Sequence, residues 1–106
     1  VLDALKKAGL EENTIVVLTG DHGYMLGHHG RFEKHCCYEP AVRAPLLVRL
    51  PGVTKPGSTS ALTEFVDIAP TLLDACGVKV PEGVQGKWVL PLLSGKTPTH
   101  LERVFV

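Results

Sequence analysis

The sequence feature that most constrains the fold is a short apolar run that leads into a turn of charged and small residues. Residues 15–18 are apolar throughout and β-branched at three of four positions, which predicts a strand buried on both faces of a parallel sheet. Asp21 and His22 follow, between Gly20 and Gly23. Ligands of open α/β sheets bind at the carboxyl ends of strands. The pair is therefore predicted to belong to a site, and a plain turn built from Asp and Gly is the alternative.

A basic segment follows this turn. Within residues 22–49, Glu33 and Glu39 are outnumbered by four cationic side chains, Arg31, Lys34, Arg43 and Arg49. Groups that bind a cation, followed by basic side chains, suit a site in which a metal and cationic residues together hold an oxyanion such as sulfate or phosphate. A solvated basic loop is the alternative interpretation.

The flanking segments have the pattern of an α/β fold, in which helices and buried strands alternate. Residues 1–9 predict a helix that ends at Gly9 in the left-handed conformation. Residues 14–20 predict the first strand. Residues 45–51 predict a second, bounded by prolines, which cannot donate to a sheet ladder.

The later part of the chain predicts one more helix and then loops. Residues 67–76 carry apolar side chains at helical spacing, and Gly77 is placed to end the helix. Asp67 is predicted to cap its first turn. A second metal ligand at Asp67 is the weaker alternative. Residues 78–106 contain repeated Gly and Pro and predict a loop-rich segment.

Composition places the chain among globular proteins. It has 106 residues, 44% hydrophobic and 21% charged, with a formal net charge of zero, which suits one globular unit with a modest core. Nothing in this balance indicates a nucleic-acid binder. No run approaches the about 18 apolar residues that a membrane span needs. The chain begins at Val1 without a methionine, so it is expected to be a fragment of a longer protein.

Residues 20–52, GDHGYMLGHHGRFEKHCCYEPAVRAPLLVRLPG, resemble the second signature region of the type I sulfatases. These enzymes belong to the alkaline phosphatase superfamily, and the subgroup resembled is that of the iduronate and bacterial polysaccharide sulfatases. Residues 66–78 and 84–93 resemble the segments that follow in the family. The resemblance implies that residues 1–106 form a single partial domain of an α/β sandwich, with a mainly parallel sheet flanked by helices.

The resemblance also implies roles for individual side chains. Asp21 and His22 match two ligands of the family's divalent metal, for which calcium is expected and magnesium is the alternative. Lys34, thirteen residues after Asp21, matches the lysine that contacts the substrate's sulfate. His29 matches the histidine of the family's G-x-H-G turn, where it lines or shapes the loop. A purely structural role for His29, bonding neighbouring backbone, is equally compatible with the sequence.

The family's nucleophile is absent from this chain. That nucleophile is a formylglycine made from Cys or Ser in a C/S-x-P-x-R motif, and neither Cys36 nor Cys37 is followed by the required proline. The paired aspartates of the family's first strand are absent too. The fragment alone is therefore expected to be inactive and to associate with the missing part of its domain or with itself.

The resemblance implies that the parent enzyme acts on a sulfated small molecule or a sulfated glycan. It also implies a periplasmic, secreted or lysosomal location. Two other functions are compatible with the sequence. One is a phosphonate monoester or phosphodiester hydrolase of the same superfamily, and the other is a truncated module without catalytic activity.

Overall fold

The structure, a computed structural model, describes residues 1–105 and divides the chain into two compact units, residues 1–52 and residues 53–105. The first unit contains helix α1 (Leu2–Lys7), strand β1 (Val16–Thr19), helix α2 (Glu39–Val42) and strand β2 (Leu46–Arg49). The second contains helices α3 (Ile68–Ala75) and α4 (Leu90–Leu93). Short 3-10 turns lie at Glu11–Asn13, His28–Gly30 and Phe65–Asp67.

The predicted helix at residues 1–9 and the predicted strand at residues 14–20 are present, each with shorter bounds. Helix α1 carries Asp3 in its first turn and Lys6 and Lys7 in its last, which complements the helix dipole. Gly9 follows with φ +67°, as predicted. A polar 3-10 turn then leads into β1.

Strands β1 and β2 pair antiparallel, with Val16 opposite Arg49 and Leu18 opposite Leu47. The expectation of a parallel neighbour is wrong for this pair, because a continuous apolar run indicates burial but carries no information about strand direction. The prediction that β1 is buried on both faces is also wrong. Leu18 and Leu47, which face the same side, are 61% and 57% exposed.

Arg49 ties this sheet to the segment ahead of β1. Its guanidinium donates to the backbone oxygen of Glu11 at 2.6 Å and to Oε1 of Glu12 at 2.7 Å. Charge-assisted bonds from one planar group to two neighbouring acceptors restrict orientation as well as distance. The approach of the chain to β1 is thereby fixed.

The buried apolar residues of the first unit lie outside its two strands, none of whose residues is buried. Met25 is fully buried, and Ala41 and Leu50 are nearly so. A long flexible thioether fills the irregular space that loops leave better than a branched side chain does. The packed centre of this unit is therefore next to the turn that follows β1.

In the second unit Asp67 does not cap α3 with its side chain, so that prediction is wrong. Its buried carboxylate instead accepts hydrogen bonds from Glu64 N at 3.0 Å, Lys87 N at 2.7 Å and His100 Nε2 at 3.0 Å. These donors satisfy a carboxylate that would otherwise be costly to bury. Since two of the three lie far away in sequence, local spacing could not reveal them.

The predicted loop-rich segment contains one helix, α4, and a backbone bridge between Leu101 and Leu62. Its last residue, Val106, lies outside the described residues. Among residues 1–105, none of the helices has the length and apolar character that crossing a bilayer requires.

Candidate active site

The turn after β1 presents Asp21 and His22 beside each other. β1 ends at Thr19, and the Asp21 side chain is 89% exposed while that of His22 is 34% exposed. Oδ2 of Asp21 and Nε2 of His22 are 3.7 Å apart. The structure therefore places the pair at the carboxyl end of the strand, as the sequence predicted.

Gly23 is required by a close approach of the chain. Its N–H donates to the oxygen of Ala41 at 2.7 Å, and a Cβ built on Gly23 would lie 2.0 Å from the carbonyl oxygen of Pro40. No side chain fits at that distance from backbone. Helix α2 is consequently packed directly onto the turn that carries Asp21 and His22.

We expect Gly23→Ala to displace α2 or the turn, since a methyl group has to enter a space filled by backbone. The expected cost is about 1 to 3 kcal/mol of stability, as for other overpacked positions. In the full-length parent protein this lowers the midpoint of thermal unfolding. Gly57→Ala is the matched control, because Gly57 has open space around its Cβ position and no positive φ. Equal midpoints for the two variants would contradict the steric argument.

Residues 25–33 form a hairpin that leads from the turn to Lys34. Met25 N donates to Glu33 O at 2.8 Å, and Gly27 N donates to Arg31 O at 2.9 Å. The tip has three residues in the left-handed region, Gly27 at φ +96°, His29 at φ +52° and Gly30 at φ +68°. The glycines of the G-x-H-G turn allow this tip. The G-x-H-G turn is visible in the sequence, whereas the hairpin around it is not.

Lys34 returns to the strand end, where its Nζ lies 2.6 Å from Nε2 of His22. The other ring nitrogen of His22, Nδ1, bonds the carbonyl oxygen of Gly23. A carbonyl only accepts, so Nδ1 carries the proton and Nε2 is left with a lone pair. Nε2 accepts from the Lys34 ammonium, and it is the nitrogen that a metal would use.

Most of the predicted cationic surplus is neutralised. Arg31 pairs with Glu33, Arg43 pairs with Glu39 at 3.0 Å, and Arg49 pairs with Glu12. The hydrogen bond from Arg31 to Glu33 raises the pKa of the Arg31 guanidinium. Of the four basic residues in this segment, Lys34 is the one without a carboxylate partner in the part of the chain that the structure describes.

His29 does not join this group. Its ring stacks on that of Tyr38, with centroids 4.3 Å apart and an interplanar angle of 20°. The sequence gives no sign of a role for Tyr38, since contact between residues nine positions apart on irregular backbone leaves no periodic signal. Asp21, His22 and Lys34 are thus brought together, while His29 contacts the residue ahead of α2.

The donor set at the strand end fits a hard divalent cation. Carboxylate oxygen and imidazole nitrogen are both metal ligands, and a separation of 3.7 Å suits two ligands that each lie about 2.0 to 2.6 Å from one ion. Within residues 1–105, no group of three His, Cys, Asp or Glu side chains converges into a complete site. Asp21 and His22 would therefore supply only part of the coordination shell of such a cation.

Comparison with known proteins identifies relatives. The sulfatase family matches residues 1–78. An N-acetylglucosamine-6-O-sulfatase of Bacteroides thetaiotaomicron is 48% identical over 101 residues, which cover 92% of this chain and 18% of that protein. The chain thus spans less than a fifth of the length of this relative.

Two solved structures are similar over nearly the whole chain. One, solved in complex with its substrate D-glucosamine-2-N,6-O-disulfate, has a TM-score of 0.87 and 44% identity, and the match covers 95% of this chain and 21% of the other. The second is a phosphonate monoester hydrolase from Silicibacter pomeroyi, with a TM-score of 0.82 and 37% identity, covering 92% and 19%.

Proposed function

This chain belongs to the sulfatase family, and on that premise we propose that it is part of a longer enzyme that hydrolyses sulfate esters. The observation that carries the proposal is the convergence of Lys34 on the Asp21–His22 pair, with Lys34 Nζ 2.6 Å from His22 Nε2. Two metal-type donors beside a lysine that has no carboxylate partner among residues 1–105 support binding of a sulfate oxyanion.

In the proposed enzyme each of these three side chains has a separate task. Asp21 and His22 hold a divalent cation, calcium or alternatively magnesium, and the ion supplies Lewis-acid stabilisation of the sulfate oxygens. Lys34 binds a sulfate oxygen with its ammonium group. Asp21, His22 and Lys34 already lie together at the strand end, so only the Lys34 side chain has to move to face the sulfate, and little further reorganisation is needed as negative charge moves toward the leaving oxygen.

The nucleophile and the remaining metal ligands have to come from parts of the protein outside this chain. We propose a formylglycine in a C/S-x-P-x-R motif, as the family resemblance implies, because residues 1–106 contain no such motif. The chain supplies the anion-binding side of the site, and the missing part supplies the attacking oxygen.

We propose that the substrate is a sulfated sugar. The similar structure that shares 44% identity holds D-glucosamine-2-N,6-O-disulfate as its substrate, and the relative with 48% identity is an N-acetylglucosamine-6-O-sulfatase. An amino sugar with a 6-O-sulfate is therefore the first substrate to test.

For the fold of the parent we propose one α/β sandwich of the alkaline phosphatase type, to which residues 1–106 contribute a partial domain. Its mainly parallel sheet would extend from β1 through strands outside this chain. The exposed Leu18–Leu47 pair supports this arrangement, since large apolar side chains paired on one sheet face are normally covered.

A phosphonate monoester hydrolase is the second candidate, favoured by the structural similarity to the Silicibacter pomeroyi enzyme. The full-length protein should be assayed with an aryl sulfate and with the matching aryl phosphonate monoester under the same conditions. We expect kcat/KM to be at least about tenfold higher for the sulfate, a difference of about 1.4 kcal/mol in transition-state stabilisation. A higher kcat/KM for the phosphonate would make the phosphonate monoester hydrolase the preferred function. Turnover of neither would support the module without catalytic activity.

A further inference from the structure

Tyr38 links the tip of the hairpin to the start of α2. Its ring stacks on His29, and Tyr38 itself occupies the position preceding Glu39, the first residue of α2. α2 is in turn held against the site, because Gly23 N donates to Ala41 O at 2.7 Å. The stack therefore connects the hairpin tip to an element whose position relative to the Asp21–His22 turn is fixed.

Lys34 lies inside the loop that this stack closes. From His29 the chain returns through the hairpin to Glu33, whose oxygen accepts from Met25 N. It then passes Lys34 and reaches Tyr38. The hairpin fixes Lys34 from the N-terminal side, and the His29–Tyr38 stack fixes the far end of the same loop. His29 is suited to this because its left-handed backbone, φ +52°, directs the chain sharply at the tip.

A flexible lysine side chain gains from such support. An ammonium on a four-carbon stem binds an anion well only if its backbone is held, since the stem itself has many rotamers. Small displacements of a group that positions substrate are expensive, because catalysis depends on near-attack geometry.

We propose that Tyr38 is a positioning residue that acts through its stack on His29 to hold Lys34 where it binds the sulfate. The proposal rests on the proposed function, in which Lys34 contacts the substrate. Tyr38 does not touch substrate in this scheme, and its phenol oxygen has no part in the effect. The aromatic ring alone is required.

The test uses the full-length enzyme with an aryl sulfate and compares Tyr38→Ala with Tyr38→Phe. Loss of the stack is expected to lower kcat/KM by about two- to tenfold, the range that an aromatic pair supports. Tyr38→Phe is expected to retain most of the kcat/KM of the parent enzyme, because phenylalanine keeps the aromatic ring. Inhibition by inorganic sulfate should weaken in parallel in Tyr38→Ala, with unchanged metal content. Phe65→Ala is the control for removing an exposed ring, since Phe65 is 50% exposed and Tyr38 is 43% exposed.

A double-mutant cycle separates positioning from a general structural effect. In a Lys34→Met background, adding Tyr38→Ala should change kcat/KM little further, because there is no ammonium left to position. The proposal would be overturned if the losses in kcat/KM from Lys34→Met and Tyr38→Ala were fully additive. It would also be overturned if Tyr38→Ala and Tyr38→Phe lost equal activity, or if the metal content of Tyr38→Ala fell. If Lys34→Met lowers kcat/KM but Tyr38→Ala does not, positioning fails and the proposed function stands. If Lys34→Met itself is neutral, the role of Lys34 fails and the positioning proposal fails with it.

Discussion

Lys34→Met in the full-length enzyme is expected to lower kcat/KM for an aryl sulfate by about 30- to 1000-fold. The substitution keeps most of the length of the side chain and removes its charge. The loss corresponds to about 2 to 4 kcal/mol of oxyanion stabilisation, as when one preorganised donor is removed from such a site. The measurement is steady-state kinetics of parent and variant enzyme on the same substrate.

Metal content and a matched lysine provide the controls for this result. Metal content of Lys34→Met should not fall, since Lys34 is not a ligand in the proposed site and its ammonium no longer occupies Nε2 of His22. Lys7→Met removes an exposed lysine of α1 and should change kcat/KM by less than about threefold, because surface substitutions are usually within about 0.5 kcal/mol. If Lys34→Met behaves like Lys7→Met, then Lys34 is an ordinary surface residue.

Asp21→Ala is expected to remove bound cation and activity together. Asp21 contributes the carboxylate of the donor pair, and hard cations depend on charged oxygen ligands. Loss of Lewis-acid stabilisation worth several kcal/mol corresponds to at least about a 100-fold fall in kcat/KM. Metal stoichiometry of the purified variant, measured by elemental analysis, should fall in step with activity.

Asp74→Ala serves as the control for this experiment, since Asp74 is an exposed acid in α3. It should retain both metal and activity. Asp21→Asn keeps an oxygen ligand without the charge and should give intermediate metal retention. A normal metal stoichiometry in Asp21→Ala would exclude Asp21 as a ligand and leave its exposed carboxylate without a role in the site.

Local sequence pattern was sufficient to place most of the elements and insufficient to arrange them. The run at residues 15–18 predicted β1, and the apolar spacing at residues 67–76 predicted α3, because both signals lie within one element. Strand direction depends on the partner chosen, and the antiparallel pairing of β1 with β2 was therefore missed. α4 was missed because its four residues are too few to show a helical period.

In the candidate site, too, some features can be read from local sequence and others only from the structure. Asp21 and His22 could be found because they are adjacent and follow a recognisable strand. The roles of Gly23 and Tyr38 could not, since each depends on contact with a segment far along the chain, Pro40 in one case and His29 in the other. The sequence also could not show that the basic surplus is largely neutralised. Glu12 lies outside the basic segment and yet pairs with Arg49.

Lys34 and a bound cation would compete for one lone pair, that of Nε2 on His22. When a cation takes this nitrogen, the ammonium is displaced and becomes available to an incoming anion. Binding of the two ions is then thermodynamically linked, and each strengthens the other by the same factor. Such linkage is reciprocal, so a bound anion should hold the metal as much as a bound metal favours the anion. Retention of the metal should accordingly improve in the presence of excess sulfate.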